Sequence, residues 1–183
     1  KKKNIINSIL QNTRMPEGFF GRIILRGMNK GHASLSRWGL SQIEWKSDWT
    51  ILDIGCGGGA NLKRMADFCP QGKIYGIDIS SESVKFARKE IKKLLNTRCF
   101  ISQGNVMNLP YEKGTFDLKN GGLFLICCEA SDPSDETWTS RIDGMVVHSA
   151  QDLESCLARC GFSNITTHRR NKENICVIAQ KIQ

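Results

Sequence analysis

Two spacings of apolar residues alternate along this chain. Ile51 to Ile54 is a short apolar run, interrupted only by Asp53, that leads into the glycine-rich stretch Gly55 to Gly59 and then into Ala60-Asn61, where a helix opens. A run of this length bounded by turn residues predicts a parallel strand buried on both faces. Lys73 to Ile79 and Cys99 to Val106 repeat the pattern, and Leu123 to Cys128 is apolar throughout. Between the strands the period lengthens. From Ser81 to Leu95, the residues Val84, Phe86, Ala87, Ile91, Leu94 and Leu95 form one stripe, leaving Lys85, Arg88, Lys89, Lys92 and Lys93 on the wet side of a helix. Ser149 with Asp152 three residues later predicts a capping box that opens a helix ending near Gly161. Asn164 to His168 and Ile175 to Lys181, joined by Arg169 to Glu173, read as a closing strand pair. Strands alternating with helices predict an α/β, doubly wound fold.

Two stretches stand outside that alternation. Residues 1 to about 49 read as helices and turns, with Phe19-Phe20, Ile23-Ile24-Leu25 and Met28 as an apolar face, and are expected to form a helical lid on a core spanning residues 50–183. Glu129 to His148 reads as a long polar loop, with a turn at Asp132-Pro133 and a short helix at about residues 134–142. Such loops at strand C-termini are where α/β enzymes place substrate. Between Thr115 and Leu123 the spacing is too tight. A parallel crossover needs at least about 10 to 12 residues, whereas Lys119 to Gly122 are all that separate two expected strands. The chain is therefore expected to be discontinuous near Asp117-Leu118, missing most of a fourth strand and its helix.

The glycine stretch carries the chemistry. Gly55, Gly57 and Gly59 permit positive φ and a close approach of backbone to ligand. Cys56 lies within the same loop. Asp53, at the strand end, would repel a pyrophosphate seated on the following helix N-terminus and would favour a ligand carrying an ammonium. Asp78 closes the second strand roughly twenty residues after the loop, where this kind of nucleotide fold places an acid on ribose hydroxyls. Gly55-x-Gly57-x-x-Ala60 also satisfies the relaxed dinucleotide fingerprint, so an NAD-dependent oxidoreductase stands as an alternative.

Asp53, Gly55, Gly57 and Gly59, followed by Asp78-Ile79, Asn105-Val106, Asn108 to Tyr111 and Gly114 to Asp117, resemble the successive motifs of class I S-adenosylmethionine-dependent methyltransferases over roughly residues 50–128. Asn29 to Ala33 looks like a motif of the small-molecule, ubiquinone/menaquinone-type group. The resemblance implies a mainly parallel seven-stranded sheet with a C-terminal antiparallel pair, S-adenosylmethionine as cofactor and S-adenosylhomocysteine as product. It implies that Asp53 holds the donor's amino group, Asp78 the ribose and Ile79 the adenine face. Asn105 departs from the carboxylate usual at the adenine edge, but its amide oxygen accepts equally well, and the Val106 N–H would reach a ring nitrogen. Leu118 to Gly122 resembles the turn leading into strand five, consistent with a missing segment before it. A sulfonium methyl is already activated, so alignment matters more than acid–base help. If the acceptor needs a base, His32, Glu129, Tyr111 and His148 are candidates by placement alone. The acceptor is expected to be a small molecule, with RNA- or protein-directed methylation as the alternative.

Size and composition narrow the setting. A chain of 183 residues with 40% hydrophobic and 24% charged residues suits one globular domain. Its apolar stretches are too short for a signal peptide or a membrane span, so the expected location is cytoplasmic. The chain opens on Lys1 rather than Met, so further residues are expected ahead of it. Eight cysteines sit inside expected strands and helices, with no Cys-x-x-Cys pair, and read as reduced core thiols; no metal is expected. The net charge of +8 raises nucleic acid as a partner, but the lysine-rich helix reads as a solvated face and no aromatics interleave with its bases.

Overall fold

The computed structural model describes residues 10–13, 15–112, 115–116 and 121–181. These divide into two compact units, one within Lys1–Ala33 and Glu44–Phe116, the other within Ser34–Ile43 and Asp117–Gln183.

The first unit holds helix α1 (Gly18–Gly31), β1 (Thr50–Ile54), α3 (Ala60–Phe68), β2 (Lys73–Asp78), α4 (Ser81–Glu90) and β3 (Cys99–Gln103), with α2 (Ala33–Leu40) leading out of it. β1, β2 and β3 form a parallel sheet in that order. The central strand is the best covered, with Ile74 and Ile77 at 0% and 1% exposure, which is worth about 1.5–3 kcal/mol per side chain. α3 lies on β2, and α4 lies on β2 and β3. The predicted stripe of α4 does face inward: Val84, Ala87 and Ile91 are buried. The helix stops at Glu90 rather than continuing to Leu95, because Leu94 and Leu95 are drawn into turns that hand the chain to β3. Arg98 in that turn donates from Nη2 to the Ala66 carbonyl at 2.7 Å and also reaches the Cys69 carbonyl, placing a cation on the C-terminal end of α3.

β1 departs from expectation. It pairs only with β2 among the described residues, and its side chains are half-buried or exposed instead of enclosed on both faces.

In the second unit β4 (Leu123–Cys128), β5 (Ser163–Arg169) and β6 (Ile175–Gln180) form an antiparallel sheet with β6 in the centre. Helix α5 (Ala150–Arg159) packs on β5 and β6. Its start is the full capping box: the Ser149 hydroxyl accepts from the Asp152 N–H, and the Asp152 carboxylate accepts from the Ser149 N–H. The core here is Ala150, Leu157, Ile175, Val177 and Ala179, with Phe124 and Phe162 against it. Gly39 of α2 lies so close to the strands that an added Cβ would collide with Cys127 Sγ. The expected short helix at residues 134–142 is a series of turns instead, in which Asp132 and Asp135 accept from the N–H groups of Ser134 and Thr137. These local side-chain acceptors compete with the helical ladder.

The single seven-stranded sheet is not observed; the described residues form two three-stranded sheets. The expected break at Asp117-Leu118 lies outside the described residues.

Candidate functional site

The end of β1 and the loop beyond it are set by backbone geometry. Gly55, Gly57 and Gly59 have φ of 72°, 49° and 79°, in the left-handed region that favours glycine. The Gly55 and Cys56 N–H groups both donate to the Ile77 carbonyl of β2, at 2.8 and 3.1 Å, which folds the loop back over the neighbouring strand. At Gly59, a Cβ would stand 2.9 Å from the Ala87 side chain, so the loop sits directly on α4. At Gly55 it would meet nothing within 4 Å, leaving open space beside the loop.

The carboxylates at the ends of β1 and β2 are treated in opposite ways. Asp78 accepts from the Gly57 N–H at 2.8 Å through Oδ2 and from the Ser80 N–H at 2.9 Å through Oδ1, so it ties the glycine loop to the start of α4. Asp53 is the reverse case, because its Oδ2 is buried without a hydrogen-bond partner. Burial, and after it the charge of Asp78, push the Asp53 carboxyl up to about 7. A buried acceptor without a donor costs stability, and a cationic donor group placed there would remove that cost. Cys56, buried in the loop, has its thiol pushed far up by burial and by the two nearby carboxylates, so it is a packing group.

The remaining expected contacts gather around the same strand ends. The Gly104 N–H donates to the Asp78 carbonyl at 3.0 Å, bringing Asn105 and Val106 alongside β2, and Gln103 Nε2 donates to the Ile79 carbonyl. Ile79 and Val106 are exposed at 51% and 50%. Asn105 Oδ1 accepts from the Met107 N–H at 3.0 Å, so its amide oxygen already serves its own turn.

The candidate bases are divided between the two units. Tyr111 shares a hydrogen bond with Ser102 Oγ at 3.1 Å and packs edge-on against Tyr75 and Phe116, inside an aromatic cluster of the first unit. His32, at the end of α1, is exposed in that unit, while Glu129 and His148 are exposed residues of the second. Among the described residues no group of three or more His, Cys, Asp or Glu side chains is placed to hold a metal.

Spacing did not single out Ser80 or give Asn29 a role. The Ser80 hydroxyl caps α4 by accepting from the Ser83 N–H and donates to the buried Pro16 carbonyl at 2.6 Å. Asn29 Nδ2 donates to the Gly58 carbonyl at 3.3 Å. With the Arg22–Glu82 ion pair at 3.3 Å, these contacts hold α1 against both the glycine loop and α4. Ser80 was legible as a helix cap, since serine precedes Ser81-Glu82-Ser83; its bond to Pro16 spans 64 residues and leaves no local signal.

Known proteins resemble this chain in sequence and in fold. The chain is 31% identical over 124 residues to a demethylmenaquinone methyltransferase of Symbiobacterium thermophilum, an alignment covering 51% of this chain and 47% of that protein. The fold is similar to that of an O-methyltransferase family protein from Burkholderia thailandensis, with a TM-score of 0.76 at 16% identity over 94% of this chain and 63% of that one. It is also similar to a SAM-dependent methyltransferase from Aquifex aeolicus, with a TM-score of 0.67 at 18% identity over 85% of this chain and 95% of that one. The chain spans less than half the length of the first curated relatives it matches, 31% and 47%. A family described as a methyltransferase domain matches residues 45–179, most of the chain, so the protein belongs to that family, in its class I, S-adenosylmethionine-dependent form.

Proposed function

We propose that this chain binds S-adenosylmethionine at the β1 end and glycine loop and transfers its methyl group to a small-molecule acceptor. The observation that carries the reading is Asp53 Oδ2, a buried carboxylate oxygen without a partner, two residues ahead of Gly55, where a Cβ would meet nothing within 4 Å. An α-ammonium supplies the donor that oxygen lacks. Asp53 would hold the methionine amino group, Asp78 the ribose hydroxyls, and Gly55, Cys56, Gly57 and Gly59 the backbone approach. Ile79, Asn105 and Val106 would border the adenine. Asn105 serves best through its backbone, because its side-chain oxygen closes the local turn. The donor supplies an activated sulfonium methyl; the chain's part is to orient it and to exclude water. None of His32, Glu129, Tyr111 and His148 is assigned as base. Tyr111 is the least suited of them, its hydroxyl being engaged by Ser102.

The demethylmenaquinone methyltransferases among the relatives support an apolar, quinone-like acceptor as the first class to test. Eight unbridged cysteines support a reducing, cytoplasmic location. Residues 1 to about 49 would act as the lid, with α1 fastened over the loop through Asn29.

The deciding experiment is titration calorimetry with S-adenosylmethionine, S-adenosylhomocysteine and NAD, repeated on Asp53→Ala and Asp78→Ala. Binding of the first two ligands, none of NAD, and a loss in both variants is expected. Binding of NAD alone, or affinity unchanged in both variants, overturns the reading.

A further inference from the structure

Helix α1 buries less of its apolar surface than its sequence offers. Gly21 and Leu25 are buried and Ile24 and Met28 are half-buried, so that side packs inward. The opposite side carries Phe19, Phe20 and Ile23 at 65%, 61% and 50% exposure, continued by Met15 at 44%. At 3.6 residues per turn, Phe19, Ile23, Arg26 and Lys30 follow one outward stripe. The stripe is therefore apolar in its first half and basic in its second.

The border of the apolar half is also basic. The Arg22 guanidinium lies 5.7 Å from the Phe19 ring centroid, and Arg26 lies 6.0 Å from that of Phe86 on α4. A groove between α1 and α4 is lined by Arg22, Glu82, Lys85, Phe86 and Lys89. Glu82 pairs with both Arg22 and Lys85, so this edge keeps an excess of positive charge, and Arg26, Lys30 and Lys89 add to it. Exposed phenylalanines flanked by arginine and lysine on a short helix are the composition of an interfacial helix, in which rings enter the acyl boundary while cations meet phosphates. The bonds from Ser80 to the Pro16 carbonyl, from Arg22 to Glu82 and from Asn29 to the Gly58 carbonyl fasten the helix to its unit. The apolar face is presented already folded, which lowers the ordering cost of binding.

We propose that the Met15, Phe19, Phe20 and Ile23 face of α1 docks on a bilayer bearing anionic headgroups, with Arg26, Lys30 and Lys89 on the phosphates. The proposal does not depend on methyl transfer, since vesicle binding and donor binding are read separately.

The test is flotation of the full chain with vesicles of phosphatidylcholine alone and of phosphatidylcholine containing about a third phosphatidylglycerol, a fraction that gives a clearly negative surface. The protein is expected to float with the anionic vesicles and to stay behind with the neutral ones. Raising salt from about 0.1 to about 0.5 M is expected to lower the bound fraction several-fold. Phe19→Ser with Phe20→Ser is expected to lower partitioning at least about tenfold, and Arg26→Glu with Lys30→Glu similarly. Both pairs are solvent-exposed, so far-UV circular dichroism should match the parent. Three results overturn the proposal: no flotation with anionic vesicles, flotation unchanged in the phenylalanine pair, or a concentration-dependent dimer that this pair abolishes, which makes the face an interface between copies.

Discussion

Asp53 stands in register with Gly76, two residues short of Asp78 on the adjacent parallel strand, and the two acids at this end of the sheet differ in their partners. Asp78 accepts from two backbone N–H groups, whereas the buried Oδ2 of Asp53 accepts from none. Asp78 builds the loop, whereas Asp53 takes no part in its hydrogen bonding through Oδ2. The same sheet end thus contains a satisfied carboxylate and one whose cost the proposed donor ammonium would remove.

That cost has a pH signature. Asp53 has its carboxyl raised from 3.8 to about 7 by burial first and Asp78 second. The folded protein therefore keeps a proton that the unfolded chain releases, and stability falls as pH rises from about 4 to about 7, then levels off. The melting temperature is expected to follow this course, and Asp53→Asn to flatten it. Donor affinity should run the other way, rising with pH up to about 7, because an ammonium requires the ionised acid. Calorimetry in buffers of differing ionisation enthalpy should detect proton release on binding near pH 6.

Asn29 is expected to act on donor binding through the glycine loop. Removing its bond to the Gly58 carbonyl in Asn29→Ala forfeits roughly 0.5–1.5 kcal/mol of loop ordering, about a two- to twelvefold loss of donor affinity. In Gly58→Ala the new Cβ would stand 2.5 Å from Asn29 Nδ2. The second substitution should therefore cost less on an Asn29→Ala background, and additive effects in the double-mutant cycle would remove the coupling.

Gly39 sets the spacing between α2 and the antiparallel sheet. A Cβ there would overlap Cys127 Sγ, and the Cys176 thiol donates to the Gly39 carbonyl at 3.9 Å. Gly39→Val is expected to destabilise the protein by about 1–3 kcal/mol, the usual cost of overpacking, read as a lower urea midpoint. Gly27→Ala is the control, since a Cβ there meets nothing within 4 Å.

The cysteines should sort by burial in their reaction with a thiol reagent. Cys156 and Cys160 on and just beyond α5 are exposed, whereas Cys56, Cys69, Cys99 and Cys176 are buried. Two thiols are expected to react fast in the native protein and the four buried ones only on unfolding, followed by absorbance under native and denaturing conditions. This corrects the reading of all eight as core thiols: helical periodicity places Cys156 and Cys160 on the turn that α5 does not press against its sheet.

Local chemistry determined a large share of this protein from sequence. The glycine loop, the acids at the ends of β1 and β2, the capping box at Ser149 and the inward stripe of α4 are each written in a few adjacent residues, because turn geometry, caps and helical period act over short spans. Only the tertiary structure decided which of the two acids would be satisfied, since that depends on whether the Gly57 N–H reaches Asp78 across strands. It also decided that β1 pairs with β2 alone among the described residues, that Phe19 and Phe20 face outward while Leu25 faces in, and that Asn29 meets Gly58. These outcomes join residues 20 to 30 positions apart or depend on which neighbour covers a face, and a one-dimensional pattern of apolar and polar residues carries no record of the neighbour.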